Sequence, residues 1–200
     1  QAWARTAVLQ GASPMRVTVD DEAGWGYRPA PPGPYRLPEL RLELPEAALR
    51  ATLDTFLPYA GRRHEAACFW YGTRDEAGSG MVRAVVVPAQ INTWGNYQVT
   101  ADAVAAMAAR TRPEGWRNLA QVHTHPRHNV EHSWYDDENA SSRRALSVVV
   151  PHYGLWNQCW PEGLGVHEYQ DEYWHLLAPE DAGRRIVIVP EVEVELVDLR

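Results

Sequence analysis

The sequence has 200 residues, enough for one domain with extensions and an ordinary buried core. A hydrophobic content of 45% excludes general disorder, and a net charge of -7 argues against a nucleic-acid-binding surface, which needs clustered Lys and Arg. No stretch approaches the roughly 20 apolar residues of a membrane span, and no basic region followed by an apolar core marks a signal peptide. We therefore expect a cytoplasmic protein that binds neither membrane nor nucleic acid.

Two cysteines, Cys68 and Cys159, are present. They are too few for a disulfide framework or a cysteine-rich zinc site, which agrees with an intracellular location. A single disulfide between them stays open. Cys68 lies in an apolar run and is expected to be a small core residue.

Residues 1–40 are predicted to form an arm whose prolines are interleaved with Trp25, Tyr27 and Tyr35. Proline at this density favours an extended chain and excludes a central strand. We expect the arm to pack over the domain through its aromatic side chains, and binding of a partner is the alternative. Because residue 1 is Gln, Met15 is an alternative native start. Residues 41–200 are expected to form one domain with a C-terminal β extension.

Helical and strand patterns alternate along this domain, which predicts an α/β fold. In the first half we predict a helix opened by Pro45 that ends between Pro58 and Gly61, a hairpin of Glu65–Gly72 and Met81–Pro88, a loop over 89–99, and a helix capped by Thr100 that ends near Arg112. In the second half we predict a strand from Asn118 to His123, a helix over 137–146, a strand from Leu146 to Val150, and strands over 164–169, 173–177, 186–189 and 192–197.

The most informative stretch runs from His123 to Asp136. His123 and His125 are two residues apart, so in a strand both imidazoles leave the same face, and Pro126 stops ladder pairing after them. Ser133 and Asp136 follow after a gap of seven residues. Two imidazoles and one carboxylate leave one tetrahedral position open, which is typical of a catalytic zinc. Ser133 and Asp136 also fit a helix N-cap with an acidic partner, a role compatible with metal binding.

This His-x-His, seven-residue gap, Ser-x-x-Asp pattern resembles that of the JAMM (JAB/MPN+) metalloproteases, the family of zinc-dependent deubiquitinating isopeptidases. The family also has a glutamate on an earlier strand, and Glu65 is the candidate. Gly72, seven positions further on, matches the family pattern, whereas Cys68 stands where many members have Gly. The resemblance covers roughly residues 44–151 and implies an MPN/JAB-type, cytidine-deaminase-like mixed β-sheet flanked by helices.

The resemblance implies a chemical task for each of these side chains. His123, His125 and Asp136 would bind one zinc ion per chain, and the zinc would activate a water molecule at neutral pH. Glu65 would act first as general base and then as general acid toward the departing amine. Ser133 would donate its hydroxyl to the developing oxyanion. Without the downstream motif, Glu65 would be interpreted as an ordinary charge at the edge of a strand.

Other histidines and aromatic residues near the motif are assigned ordinary roles. His128 and His132 lie inside the seven-residue gap and are expected to be exposed to solvent. Trp134 and Tyr135 either line a groove for a peptide tail or pack under the helix, and the sequence leaves both alternatives open. The remaining dispersed histidines are expected to be surface or core residues: His152, His167 and His175.

The substrate implied by the resemblance is an amide or isopeptide bond after the C-terminal glycine of a ubiquitin-like protein. The compact size resembles bacterial stand-alone JAB proteins, which implies E1-like and E2-like partners in a conjugation or antiphage system. Trp70, Trp94, Tyr97, Trp134 and Tyr135 are candidates for contacts with the tail. One alternative is a JAMM peptidase for another small amide or a sulfur-carrier tail. Another is a non-catalytic MPN scaffold that binds a partner.

Overall fold

The computed structural model of the chain describes residues 29–140, 142–190 and 192–200. In chain order, its helices and strands are β1 (Leu42–Pro45), α1 (Glu46–Ala60), β2 (Ala67–Arg74), β3 (Gly80–Val87), β4 (Gln90–Thr93), β5 (Asn96–Val99), α2 (Ala101–Thr111), β6 (Arg117–Thr124), α3 (Trp134–Asn139), β7 (Leu146–Val150), β8 (Gly165–Gln170), β9 (Tyr173–Leu176), α4 (Pro179–Arg185), β10 (Ile186–Val189) and β11 (Glu195–Asp198). None of the helices in these ranges is long and apolar enough to cross a membrane.

Most of the strands form one mixed sheet in the order β10-β1-β3-β2-β6-β7-β8-β9. The strands β3, β2 and β6 are antiparallel neighbours, whereas β6 and β7 are parallel. On the outer side of β3, β1 pairs with its first residues and β11 with its last. The pair β4 and β5 forms a separate hairpin. The predicted α/β class is therefore confirmed, as a mixed sheet flanked by helices.

Apolar side chains cover both faces of this sheet, which explains why β2 and β3 have nearly continuous apolar sequences. Cys68 and Trp70 point to the face that packs against Phe56 of α1, and Trp70 Nε1 donates a hydrogen bond to Thr52 Oγ1 at 2.8 Å. On the other face, β2 residues pack with Met107 of α2. Burial of each large side chain contributes about 2–3 kcal/mol. Cys68 is buried and both cysteines are free, so the core role is confirmed and the open disulfide is excluded.

The predicted hairpin of β2 and β3 is confirmed, with an irregularity at Gly72. A Cβ atom at this position would lie 1.9 Å from the carbonyl oxygen of Met81. No real side chain tolerates such a contact, so the close approach of the two backbones requires glycine here. Glu65 itself precedes β2, which begins at Ala67 rather than at Glu65 as predicted.

Two predictions about local structure are wrong. Residues 89–99 were expected to form a loop, but they form the β4–β5 hairpin around a two-residue turn at Trp94 and Gly95. Both strands are short and mostly polar, so they lack the apolar pattern that predicts a strand. The side-chain amide of Gln90 fixes the hairpin by forming hydrogen bonds with both the N–H and the C=O of Ala67, each 2.8 Å long. The helix predicted over 137–146 instead spans Trp134–Asn139. It ends early because its last residues are exposed and bury no apolar face.

The C-terminal strands agree with the sequence in part. The strand Ile186–Val189 has the predicted bounds, whereas the last strand is shorter than predicted and shifted to Glu195–Asp198. In the N-terminal arm, Trp25 and Tyr27 lie outside the described residues. Tyr35 packs against the core and donates a hydrogen bond to Glu168 Oε2 at 2.6 Å. For the described part of the arm, packing over the domain is therefore the alternative that the structure supports.

Candidate metal centre

The two histidines of the motif lie where the central strand β6 ends. His123 pairs with Ala67 of β2 on one side and with Val149 of β7 on the other. The backbone N–H of His125 donates to Val150 O at 2.9 Å, so the ladder continues for one more residue before Pro126. Both imidazoles are buried, and their Nε2 atoms are 3.2 Å apart. Backbone pairing thus directs both rings to one point, as the alternation of strand side chains predicts.

Asp136 reaches the same point from the first turn of α3. Ser133 is the N-cap of this helix: its hydroxyl accepts from Asp136 N, and the Asp136 carboxylate accepts from Ser133 N. Asp136 Oδ2 receives hydrogen bonds from Ser133 N and from Ser133 Oγ, each 2.7 Å long. The other oxygen, Oδ1, lies 3.3 Å from His123 Nε2. Because Oδ2 is already held by Ser133, Oδ1 is the oxygen better placed to bind a metal.

Among the described residues, one buried group of His, Cys, Asp or Glu side chains could hold a metal ion, and it consists of His123, His125 and Asp136. The two Nε2 atoms lie 3.2 Å apart, Asp136 Oδ1 lies 3.3 Å from His123 Nε2, and the other oxygen, Oδ2, lies 3.4 Å from His125 Nε2. Tetrahedral zinc with metal–nitrogen bonds of about 2.0–2.1 Å separates its ligand atoms by about 3.3 Å. The two nitrogens are therefore spaced as ligands of a small tetrahedral ion, and the Asp136 carboxylate directs one oxygen toward each of them.

The protonation of His123 and Asp136 also suits a metal, as does the orientation of His125. Asn129 O lies 3.0 Å from His125 Nδ1, so Nδ1–H donates to this carbonyl and Nε2 is the nitrogen that faces His123 and Asp136. Burial lowers the pKa of His123 to about 4, partly opposed by Asp136, so this imidazole is neutral at neutral pH. Burial acts to raise the pKa of Asp136, but His123 and His125 more than offset it and hold the pKa well below its usual range. Neutral imidazoles and an ionised carboxylate are the forms that bind metal.

His123 leaves one polar atom without a partner. Its Nδ1 atom is buried and makes no hydrogen bond to the described residues. An uncompensated buried polar atom costs about 1–3 kcal/mol. A cation bound at Nε2 requires the Nδ1–H tautomer of a neutral ring, which places the ring's one N–H at this buried position.

Glu65 lies beside this group and is not one of its members. Its segment is fastened to the end of β6, because Ala66 N donates to Thr124 Oγ1 and Thr124 N donates to Ala66 O, both at 3.0 Å. The hairpin holds it from the other side, where Asn92 Nδ2 donates to Glu65 O at 2.7 Å. Burial, and then the negative charge of Asp136, raise the pKa of Glu65 to about 9. The carboxyl group is therefore close to Asp136 and shielded from water.

Sequence reasoning did not place three further residues beside the histidines, although Tyr97 had been a candidate for contact with a substrate tail. Tyr97 of β5 places its ring 5.4 Å from the His123 ring, centroid to centroid, and its hydroxyl accepts a hydrogen bond from Gln121 Nε2. Gln121 precedes His123 by two residues, so strand alternation alone could have placed it on the same face. Tyr97 had no such signal because its hairpin was predicted as a loop. The third missed residue is His132.

The prediction that His132 is exposed is wrong. The residue is buried, and its ring stacks on that of His167 with centroids 3.8 Å apart. Its two ring nitrogens contact side chains of α3 and β7, which the spacing of the motif could not reveal. His128 is exposed as predicted, and His152, which was expected at the surface or in the core, is also exposed. Trp70 is fully buried in the core, so it cannot contact a substrate, whereas Trp94 and Trp134 are about half exposed.

No family profile and no curated protein sequence matches this chain. The solution structure of a protein from Desulfitobacterium hafniense is similar over 76% of this chain and 95% of its own, with a TM-score of 0.57 and 15% identity. That of a protein from Salinibacter ruber is similar over 70% of this chain and 89% of its own, with a TM-score of 0.48 and 21% identity. The first of these similarities supports a shared mixed α/β fold and carries no information on the site.

Proposed function

We propose that the protein is a zinc-dependent isopeptidase of the JAMM (JAB/MPN+) type. The observation that carries this proposal is the convergence of His123 Nε2 and His125 Nε2, 3.2 Å apart, with the Asp136 carboxylate, whose two oxygens lie 3.3 and 3.4 Å from one imidazole each, beside a buried glutamate. The pattern that resembles the family in sequence thus forms a compact group in space. A chance His-x-His pair with a nearby carboxylate gives no reason for Glu65 to lie beside it. Glu65 precedes His123 by 58 positions and is brought to the group by the fold.

The order of elements supports an MPN/JAB-type fold for this chain. A long helix precedes an antiparallel hairpin, a second helix leads into the strand that carries the histidines, and a short helix with the aspartate precedes a parallel strand. Parallel β6 and β7 require a crossover, and the segment with α3 is that crossover. The carboxylate is therefore delivered to the same end of β6 as the imidazoles.

A zinc ion held by His123, His125 and Asp136 would polarise the scissile carbonyl and lower the pKa of a water molecule. Glu65 is the proton carrier in this proposal: it takes a proton from the water and delivers it to the departing amine. Its pKa of about 9 without a metal suits the second step. The positive charge of a bound cation favours the ionised form that the first step needs.

Ser133 has two candidate tasks that compete for one hydroxyl proton. Its Oγ donates to Asp136 Oδ2 at 2.7 Å and therefore fixes the carboxylate. Donation to the oxyanion of a tetrahedral intermediate requires the hydroxyl to rotate away from Asp136. In our proposal Ser133 first orients Asp136, and it becomes an oxyanion donor only when the substrate carbonyl is bound.

The proposed substrate is the C-terminal tail of a ubiquitin-like protein joined to an amine, with E1-like and E2-like proteins as functional partners. Such tails are extended, and they bind by adding a strand beside a sheet or hairpin edge. The β4–β5 hairpin offers that edge, and it lies next to Glu65, because Glu65 N donates to Thr93 O at 2.8 Å beside the turn of the hairpin. Trp94 on the hairpin and Trp134 at the start of α3 offer exposed aromatic surface to the tail.

The test is to incubate the zinc-loaded protein with fusions that carry the tails of ubiquitin-like proteins and to measure the products by mass. We expect cleavage directly after the terminal glycine. Cleavage should be lost with 1,10-phenanthroline and with Glu65→Gln, and retained in Glu131→Gln, which changes an exposed glutamate of the β6–α3 loop. A zinc-loaded protein that binds these tails and never cleaves them would favour a scaffold, and cleavage of unrelated small amides alone would favour the other peptidase alternative.

A further inference from the structure

His132 lies in the β6–α3 loop, where it is buried whereas His128 is exposed, and it precedes the N-cap Ser133 directly. Its Nδ1 atom lies 2.9 Å from Asp137 Oδ1, and its Nε2 atom lies 2.8 Å from Ser147 Oγ. A carboxylate only accepts hydrogen bonds, so Nδ1–H donates to Asp137, and Nε2 shares the second hydrogen bond with the Ser147 hydroxyl. The imidazole therefore bridges helix α3 to strand β7.

Both ends of this bridge are adjacent to the metal centre. Asp137 follows Asp136 in α3, so a contact that holds the Asp137 side chain also fixes the rotation of the helix about its axis. Ser147 pairs with Gln121 in the β6–β7 ladder, two residues before His123, and so lies on the same face of the sheet as His123. The bridge thus connects the element that carries the aspartate to the sheet face that carries the first histidine.

The helix needs such a connection. It has six residues, too few for an isolated helix to persist. It also has no stripe of buried apolar side chains, because its buried residue is Asp136. The capping box orders its first turn internally, but that motif does not attach the helix to the sheet. The ring of His132 supplies the attachment, and it is itself held by stacking on His167 of β8, with an interplanar angle of 18°.

We infer that His132 is a positioning residue of the metal centre, which sets metal affinity by holding α3 against β7 so that Asp136 faces the two histidines. This role is additional to the sequence pattern of the site, which requires no histidine before the serine. The inference rests on the metal centre of the proposed function and does not depend on the substrate. Removal of a group that orients a metal ligand typically weakens binding by about 10- to 100-fold.

The test breaks the bridge at its accessible end. In Asp137→Ala the ring of His132 is kept and one hydrogen bond is lost, and Glu138→Ala is the matched control because it removes the same charge from the next, exposed residue of the helix. Zinc affinity is measured by competition with a chromophoric chelator, and Co²⁺ is added as a spectroscopic probe of ligand geometry. We expect Asp137→Ala to raise Kd for Zn²⁺ at least tenfold and to change the d–d spectrum of bound Co²⁺. Glu138→Ala should stay within about twofold of the native chain.

A pair of substitutions at the histidine itself tests which contact matters. His132→Asn keeps a donor near the position of Nδ1, whereas His132→Gln places one near the position of Nε2. If the bond to Asp137 orients the helix, His132→Asn should retain tighter zinc binding than His132→Gln, even where both lower the melting temperature of the metal-free protein. Because loss of stability alone would not alter the Co²⁺ spectrum, the two readouts separate positioning from folding.

The inference is overturned if Asp137→Ala binds Zn²⁺ as tightly as Glu138→Ala and gives the native Co²⁺ spectrum. It also falls, together with the metal centre, if the native chain binds neither ion. A native chain that binds zinc, loses affinity in Asp137→Ala and cleaves no conjugate would support the role of His132 while removing the proposed isopeptidase activity.

Discussion

The two sides of the candidate metal centre are built from different kinds of contact. On the sheet side, the positions of Glu65, His123 and His125 follow from backbone pairing among β2, β6 and β7. On the helix side, Asp136 lies in a six-residue helix that side-chain hydrogen bonds from Ser133 and His132 hold in place. The sheet side is part of the core, whereas the helix side depends on a few polar atoms.

This difference determines how each side responds to substitution. A β ladder spreads the positioning of one side chain over many backbone bonds, so surface changes leave it intact. A short helix has no such reserve, and each hydrogen bond that holds it contributes only about 0.5–1.5 kcal/mol, or more when one partner is charged. Changes on the helix side should therefore alter metal binding while the fold persists, and the following predictions are designed to expose this asymmetry.

The largest effect is expected when a ligand is removed from either side. His123→Ala and Asp136→Ala should each lose most of the bound zinc, because two remaining ligands cannot hold the ion. Metal analysis of the purified proteins checks this, with about one zinc per chain expected for the native protein. Both variants should remain folded, with melting temperatures lowered by the lost ligand linkage. Full zinc occupancy in both variants would contradict the assignment of the site.

The next largest effect separates binding from chemistry on the sheet side. Glu65→Gln keeps the shape of the side chain and removes the proposed proton carrier, so zinc content should persist while turnover falls by about two orders of magnitude or more. Zinc content and the rate of cleavage of a tail fusion are measured on the same preparation. If Glu65→Gln released the metal, Glu65 would be a ligand and its proposed role would be wrong.

On the sheet side, strand alternation and the apolar runs of β2 and β7 were sufficient to predict the strands and the face that carries the histidines. His123 and His125 could be assigned to one face from their spacing alone. Glu65 needed the resemblance to a known pattern, since a lone glutamate after Arg62 and Arg63 has no local signal. Its closeness to the histidines depends on a strand pairing between distant segments, which periodicity does not specify.

The helix side was harder to predict for a physical reason. The polar run after Ser133 has helix-forming residues on both sides of Asn139, and nothing local says where it ends. The burial of His132 depends on Ser147 and His167, which are 15 and 35 positions away. Tertiary contacts therefore decided both features. The same holds for Tyr97, whose hairpin is fixed by the Gln90 amide.

A smaller effect is expected in the stability of the metal-free protein as pH changes. Burial raises the pKa of Glu65 from 4.5 to about 9. The contribution of its protonated form to the free energy of unfolding is therefore fully present below pH 4.5 and is lost as pH rises toward 9. Burial lowers the pKa of His123 from 6.5 to about 4, so its contribution is lost as pH falls through that range and is constant above pH 6.5. Between pH 6.5 and 8, the free energy of unfolding should therefore fall by up to about 2 kcal/mol.

Urea denaturation in the presence of a chelator measures this slope. Glu65→Gln cannot lose the proton, so its stability should be nearly independent of pH over the same interval. A native protein whose stability does not change between pH 6.5 and 8 would show that Glu65 is not buried in the metal-free state. This pH dependence reports on the sheet side alone. Asp136 on the helix side is ionised throughout the range and does not change its charge.

The smallest effect is expected at the N-cap of the helix side. Ser133→Ala removes the hydroxyl that donates to Asp136 Oδ2 and accepts from Asp136 N, at 2.7 and 3.2 Å. Loss of an N-cap costs about 0.5–2 kcal/mol, which corresponds to a weakening of zinc binding by up to about 30-fold if the helix must reorder on binding. Ser133→Thr keeps the hydroxyl and is the matched control, with affinity close to native. Turnover distinguishes the two tasks of Ser133: a fall in the rate at saturating zinc indicates an oxyanion donor, whereas a rate restored by added zinc indicates that the hydroxyl serves only to orient Asp136.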